Sequence, residues 1–451
     1  MPHDDLDRLD WMMRRAEQRD PGSAADHGDD PAEPGRRRRR RRRQVIGAVV
    51  AIAVIAALVG GYVSAALNAP LALPKGVVTA PKPEPGGAVA WPAVRGEFAV
   101  SVSGADEFLG PDAAGVFQAG GGDAAKPMAS ISKLVTALVV LDRKPLGSSG
   151  TGPTITFDKA AHDLYDKYYL LNATIAPMPT GTQMSEHDAI ETMLVASASN
   201  YAEAVSTWAF GSQSAFLSAA RSWLKKQGLN ATTFSEPTGL DARNTSTPSD
   251  LIALGRLVKA DAALTAIVAK TGLDFAPVQG FSNTNPLLGV DGVDGIKTGT
   301  LEDYGTNLLF SATVPVTGVD QPLTVIGVVL GSNRDQIVAD VRDWLGALQA
   351  GFHSVPLAAK GEVVGSYRTA WGAKAEMVLD GGANIVTWSD APITAKLTTT
   401  ALKTGRDGEK VGTVTYTAGA RSETVPVVLQ GGIRQPDAWW RLSHPGEVLG
   451  W

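Results

Sequence analysis

Apolar residues fall into several distinct patterns along this chain. From Val45 to Leu67 there is no charged side chain, and Val, Ile, Ala and Leu dominate. At ~1.5 Å rise per residue such a run crosses a ~30 Å hydrocarbon core, so it predicts one transmembrane helix over residues 44–68. Phe98, Val100 and Val102 alternate as in a strand. Ala189 to Ala209 and Gln213 to Lys226 have helical spacing, and Leu134 to Leu141 is apolar enough for a helix buried on all sides. Leu308 to Ala312 and Leu323 to Leu330 predict buried strands, and Asp335 to Phe352 a closing helix. Mixed in this way, residues 93–353 predict an α+β domain with helices packed on an antiparallel sheet. After Phe352 come short β-rich runs separated by turn residues: Glu362 to Gly365, Ala375 to Leu379, Ile385 to Trp388, Ile393 to Thr398, Val411 to Tyr416 and Thr424 to Leu429. They predict a small all-β sandwich over residues 354–451.

The polar segments complete the layout. Residues 1–43 are rich in Asp, Pro, Gly and Arg, with one short amphipathic piece around Leu9 to Met13, and predict a mostly disordered tail. Between residues 69 and 92, Pro70, Pro74, Pro81, Pro83, Pro85 and Pro92 favour an extended linker. At ~3.1 Å per residue it would act as a stalk tens of Å long.

Charge sharpens this picture. The formal net charge is -5, and setting aside the eight arginines Arg36 to Arg43 takes the remainder to -13. A basic run beside an apolar segment, with a net acidic remainder, argues against nucleic-acid binding. The arginines place the N-terminal side of the helix in the cytoplasm and everything after Asn68 outside, as an uncleaved anchor. A cleaved signal peptide is the alternative, but the apolar segment is longer than a typical signal core and follows a long polar leader. The chain has no cysteine, which removes disulfides, thiolate ligands and a thiol nucleophile. His3, His27, His162, His187, His353 and His444 show no ligand-pair spacing, so neither a metal nor any other cofactor is expected.

Two short motifs carry the candidate chemistry. Ser130-Ile131-Ser132-Lys133 precedes the apolar helical run, and three positions on a helix return to the same face, so the Lys133 amine can meet the Ser130 hydroxyl. A serine needs such a base, and a lysine serves only if burial or a second cation lowers its pKa. Lys297 of Lys297-Thr298-Gly299-Thr300 is a candidate for that cation.

Ser-x-x-Lys followed by Lys-Thr-Gly resembles the signature of penicillin-binding proteins and serine β-lactamases. The stretch from about Phe98 to Phe352 resembles a D-alanyl-D-alanine carboxypeptidase of the low-molecular-weight penicillin-binding class. Phe234 to Asp241, Ser246-Thr247 with Asp250-Leu251, and Asn283-Thr284-Asn285 support it in order and spacing. One motif departs from the family's Ser-x-Asn. In Ser197-Ala198-Ser199-Asn200, taking Ser197 as the motif serine puts Ser199 third, whereas keeping Asn200 third puts Ala198 first. The first register is preferred because Ser197 follows the apolar Met193-Leu194-Val195. A small-residue stretch that lets helices pack closely is the structural alternative.

The resemblance implies a serine β-lactamase-like catalytic domain acting on a peptidoglycan stem peptide, with β-lactam antibiotics as covalent inhibitors. It also implies that the β-rich region matches the domain following many such enzymes. Ser130 is implied as nucleophile, Lys133 as base and Ser197 as proton relay. Lys297, Thr298, Gly299, Thr300 and Asn200 are implied in substrate binding. Rival readings are a serine β-lactamase, for which neither Glu186 nor Glu191 is a convincing deacylating carboxylate, and a wall-binding scaffold without turnover.

Overall fold

The computed structural model describes residues 34–450; the amphipathic piece at Leu9 to Met13 and the terminal Trp451 lie outside the described residues. Contacts divide the chain into two units, one of residues up to Ala72 together with Pro436 onward, the other Leu73–Gln435.

In the first unit, α1 (Pro34–Asn68) takes the predicted apolar segment and begins earlier, the arginine run continuing the helix. From Arg38 to Asn68 it is long and apolar enough to cross a membrane. Two short helices, Ala438–Ser443 and Pro445–Leu449, pack on it. The Tyr62 hydroxyl donates to the Leu442 carbonyl at 2.6 Å, and the Arg441 guanidinium reaches the carbonyls of Leu67 and Ala69 at 3.2 and 3.0 Å. Those carbonyls belong to a helix C-terminus, whose unpaired acceptors and negative dipole end attract a cation. The predicted boundary of the β region at residue 451 therefore changes: its last residues belong with α1. Trp439 is exposed, and Trp440 stacks on His444 with ring centroids 4.6 Å apart.

The second unit begins with β1 (Lys75–Val78), then β2 (Glu97–Ser103) and β3 (Gln118–Gly120), and continues after a helical region with β4 (Val293–Leu301), β5 (Gly305–Val314) and β6 (Leu323–Ser332). β2 to β6 form one antiparallel sheet in the order β3-β2-β6-β5-β4, leaving β4 at an edge. Phe98, Val100 and Val102 face a cluster that includes Trp344 and Leu348 of α6 (Arg334–Ala350, numbered after the helices below), while Ala99 faces the helical cluster. The strand is therefore buried on both faces, as its sandwiched position requires.

On the helical side, α2 (Ser132–Arg143) is the central helix, buried from Ser132 through Val140. Each fully buried Leu or Val there contributes ~1.5–3 kcal/mol relative to exposure. Around it lie α3 (Glu186–Val195), α4 (Ser199–Phe210) and α5 (Pro248–Ala260). The single helix predicted from Ala189 to Ala209 is thus two, interrupted at Ser197, whose φ is +56°.

The β-rich region comprises β7 (Phe352–Ala358), β8 (Val363–Arg368), β9 (Lys374–Leu379), β10 (Ala383–Trp388), β11 (Thr394–Thr399), β12 (Lys410–Ala418) and β13 (Arg421–Gln430). Six strands form a sheet in the order β1-β8-β9-β13-β12-β11, and β7 pairs with β10. Val355 and Ile385 of that pair share a core with Met377, Val414, Tyr416 and Val427 of the sheet, giving the expected all-β sandwich. The predicted linker differs from a free stalk. Lys75 pairs with Arg368 and Val78 with Gly365, the Val89 amide donates to Ser389 Oγ at 3.1 Å, and Trp91 stacks on Trp344 at 4.9 Å. The stretch from Lys75 to Ala80 contains no proline, which leaves it free to add an edge strand.

Candidate active site

The Ser130 backbone lies in a 3₁₀ turn, Ala129–Ile131, that runs into α2. Before it, Lys126 and Pro127 pair with Ser246 and Thr245, and the Met128 amide donates to the Asn244 carbonyl at 2.9 Å. Ala129 is held at φ +50°. Its carbonyl would lie 1.8 Å from a Cβ added to Gly239, so the approach of the 236–241 turn to this bend requires glycine.

One turn into the helix, Lys133 Nζ lies 2.9 Å from Ser130 Oγ and 2.7 Å from the Thr238 carbonyl. A carbonyl can only accept, so it takes an N–H whichever protonation state the amine adopts. In the neutral amine this leaves a lone pair for the serine proton. Burial pushes Lys133 down to about 7, with the Glu236 carboxylate pulling it back up. The expected depression by a second cation registers instead at Lys297, which falls to about 7 through burial first and the neighbouring Lys133 charge second. Lys297 is 2 % exposed and its Nζ has no hydrogen-bond partner among the described residues.

A pocket beside these groups is lined by Ser130, Ser197, Thr298, Gly299 and Thr300. Thr298, Gly299 and Thr300 come from β4, whose outer edge no other strand covers among the described residues. A Cβ on Gly299 would lie 2.8 Å from the Ser130 amide nitrogen and 2.9 Å from the Met128 carbonyl. The glycine therefore lets the strand approach the loop that carries Ser130.

Ser197 reaches the pocket from the break between α3 and α4. Its left-handed backbone is uncommon outside glycine and asparagine, and such strain collects where function demands a particular side-chain direction. Ser199 and Asn200 do not line the pocket. Asn200 accepts from the Ala176 amide and donates to the Ala176 carbonyl, at 3.1 and 2.8 Å, which fixes the neighbouring loop. The Asn200 side chain therefore stands outside the pocket lining where substrate binding was expected of it.

Sequence reasoning missed other pocket residues. Thr284 bonds Thr298 at 2.5 Å, and Asn307 holds the loop before Ser130 through the Pro127 carbonyl at 2.9 Å. Both line the pocket, as does Arg334 at the start of α6. Thr284 falls in a stretch singled out for order and spacing, but nothing local marks Arg334 or Asn307. Neither glutamate weighed for deacylation reaches the pocket: Glu191 accepts from Lys270 at 2.6 Å, and burial raises Glu186 to about 7. His162 Nδ1 bonds the Met178 carbonyl. His187, Asp188 and Glu191 converge within 4.8 Å, but the Lys270 ammonium on Glu191 already supplies the positive charge there.

A family model described as D-alanyl-D-alanine carboxypeptidase matches residues 111–334, which contain both motifs. Those residues belong to the D-alanyl-D-alanine carboxypeptidase family. Among its relatives, D-alanyl-D-alanine carboxypeptidase DacC of Escherichia coli is 30% identical over 226 residues, 49% of this chain and 54% of that protein. The chain thus spans about half the length of this curated relative. A D-alanyl-D-alanine endopeptidase of Escherichia coli is 34% identical over 133 residues, 29% of this chain and 39% of that protein. The fold is similar to that of penicillin binding protein 5 from Haemophilus influenzae, with TM-score 0.51, 19% identity, 77% of this chain covered and all of the other. Penicillin binding protein 6B from Escherichia coli has TM-score 0.51 at 21% identity, covering 75% of this chain and 96% of the other. The matched residues place Ser130 and Lys133 at the start of the central helix and Lys297-Thr298-Gly299 on a sheet edge.

Proposed function

We propose that the protein is a serine-type carboxypeptidase that removes the terminal D-alanine from peptidoglycan stem peptides and is acylated by β-lactams. The observation that carries this reading is the 2.9 Å contact between Ser130 Oγ and a Lys133 amine whose pKa is brought down to about 7, beside an open strand edge. The substrate lies extended along β4. Neutral Lys133 takes the Ser130 proton as Oγ bonds to the penultimate D-Ala carbonyl carbon. The resulting oxyanion accepts from the Ser130 and Thr300 amides. As the C–N bond breaks, Ser197 passes a proton to the departing amine, and water then cleaves the ester and restores Ser130.

Lys297 and Thr298 hold the terminal carboxylate. An anion beside the unpartnered Lys297 ammonium favours its charged form, so substrate binding raises this lysine's pKa. Arg334 adds a guanidinium at the pocket. The β4 edge pairs with the peptide backbone. In this reading α1 anchors the protein in the cell membrane with its N-terminus in the cytoplasm and the active site outside.

The test is release of D-alanine from a peptide ending in D-Ala-D-Ala, run beside labelling by a fluorescent penicillin. Wild type releases D-alanine and is labelled, and Ser130→Ala does neither. Labelling without D-alanine release, with rapid penicillin turnover, would make the protein a β-lactamase; an unlabelled wild type would make it a scaffold.

A further inference from the structure

The Glu236 carboxylate stands outside the reaction pocket and makes an unusual number of contacts around one turn. It accepts from the Thr238 amide and hydroxyl, both at 2.7 Å, from the Gly239 amide at 2.5 Å and from Asn244 Nδ2 at 3.2 Å. The turn so ordered presents two successive carbonyls to α2. Pro237 accepts from Thr136 Oγ1 at 2.7 Å and Thr238 from Lys133 Nζ at 2.7 Å, two donors three residues apart on one helix face. Asn244 ties the turn to the same helix through Ser132 Oγ at 3.0 Å.

From this arrangement we infer that Glu236 is a positioning residue for the proposed acylation: it fixes the carbonyl that orients the Lys133 amine and supplies the negative charge that sets when that amine is protonated. The inference rests on the serine–lysine reading above. Two charged groups face Lys133, Glu236 from the turn and Lys297 from β4. The carboxylates on the surrounding helices are otherwise engaged: Glu191 of α3 with Lys270, Glu203 of α4 with Lys167 and Tyr168, and Asp250 of α5 with Thr232. Glu186 of α3 feels Lys144. Removal of the Glu236 charge leaves Lys297 as the nearby charge and makes protonation of Lys133 harder.

The acylation rate constant with a fluorescent penicillin, measured from pH 5.5 to 9, reads this directly, because only the neutral amine accepts the serine proton. With Glu236→Gln, the acid limb is expected to move to lower pH by about half a unit or more, a relative gain of roughly threefold at pH 6 against each protein's own plateau. The plateau itself falls, since an amide cannot accept from every donor in the turn. Glu236→Asp, which keeps the charge, holds the limb closer to wild type. Should Glu236→Gln not fold, the Asp and Asn variants make the same comparison at equal side-chain length, differing in charge alone. A plateau loss with the same limb in charged and uncharged variants would reduce Glu236 to a structural brace and overturn the inference. An unlabelled wild type would instead overturn the serine–lysine reading itself.

Discussion

The helical half of the matched domain and the β-rich region both bury a continuous apolar core, but they treat charged groups in opposite ways. Around α2 the interior holds Lys133, Lys297, Glu186, Glu191, Asn200 and Asn244. In the β-rich region the ion pairs lie on the surface, as with Lys360–Asp380 and Lys374–Glu376. Taking a charged amine out of water is costly, and a protein that needs only stability avoids it. The buried lysines mark where stability has been given up so that one amine can lose its proton near neutral pH.

Four measurements can break or sharpen that contrast. The largest effect is expected from Gly299→Ala, whose methyl would press on the Ser130 amide and the Met128 carbonyl. Acylation should fall by about a hundredfold or more, as displacing reacting groups by ~1 Å does. Folded protein with near-normal acylation would remove the packing argument. Next, wild-type acylation should be about tenfold slower at pH 6 than at pH 8, because Lys133 with a pKa of about 7 is mostly protonated at the lower value. A flat profile would mean that the serine has another base. Third, Asn200→Ala should cost about 1–3 kcal/mol in denaturant unfolding by leaving the Ala176 amide and carbonyl unpaired. It should leave the pH profile in place; a moved acid limb would return Asn200 to the reaction. The smallest effect belongs to the sandwich. The Tyr416 hydroxyl is buried with no partner among the described residues, so Tyr416→Phe should be neutral or stabilising by about 1 kcal/mol, with acylation unchanged.

Much of this architecture was legible because apolar periodicity reports burial. The apolar run of α2, the closing helix and the short strands of the sandwich stand near their predicted positions. What escaped depends on contacts between distant segments. No local signal could break the Ala189 to Ala209 helix at Ser197, since its small residues suit helix and turn alike. β7 carries Pro356 and lacks a clean alternation, while β1 sits in a proline-rich stretch whose strand exists through its pairing with β8. Ser130 with Lys133 was readable because three residues on a helix fix their geometry. Glu236, Asn307 and Arg334 gain their positions from tertiary structure, and sequence spacing carries no such information.

The packing of the helices after Pro436 on α1 has a bearing on proteolysis of this chain. Tyr62 and Arg441 join α1 to the helix at Ala438–Ser443, so the body from Leu73 to Gln435 is tied to α1 through both of its ends. A protease that cuts between Asn68 and Lys75 severs one tie and leaves the other. Separation of residues 73–435 from α1 then takes a second cut near Pro436 or the undocking of the helices over 438–449.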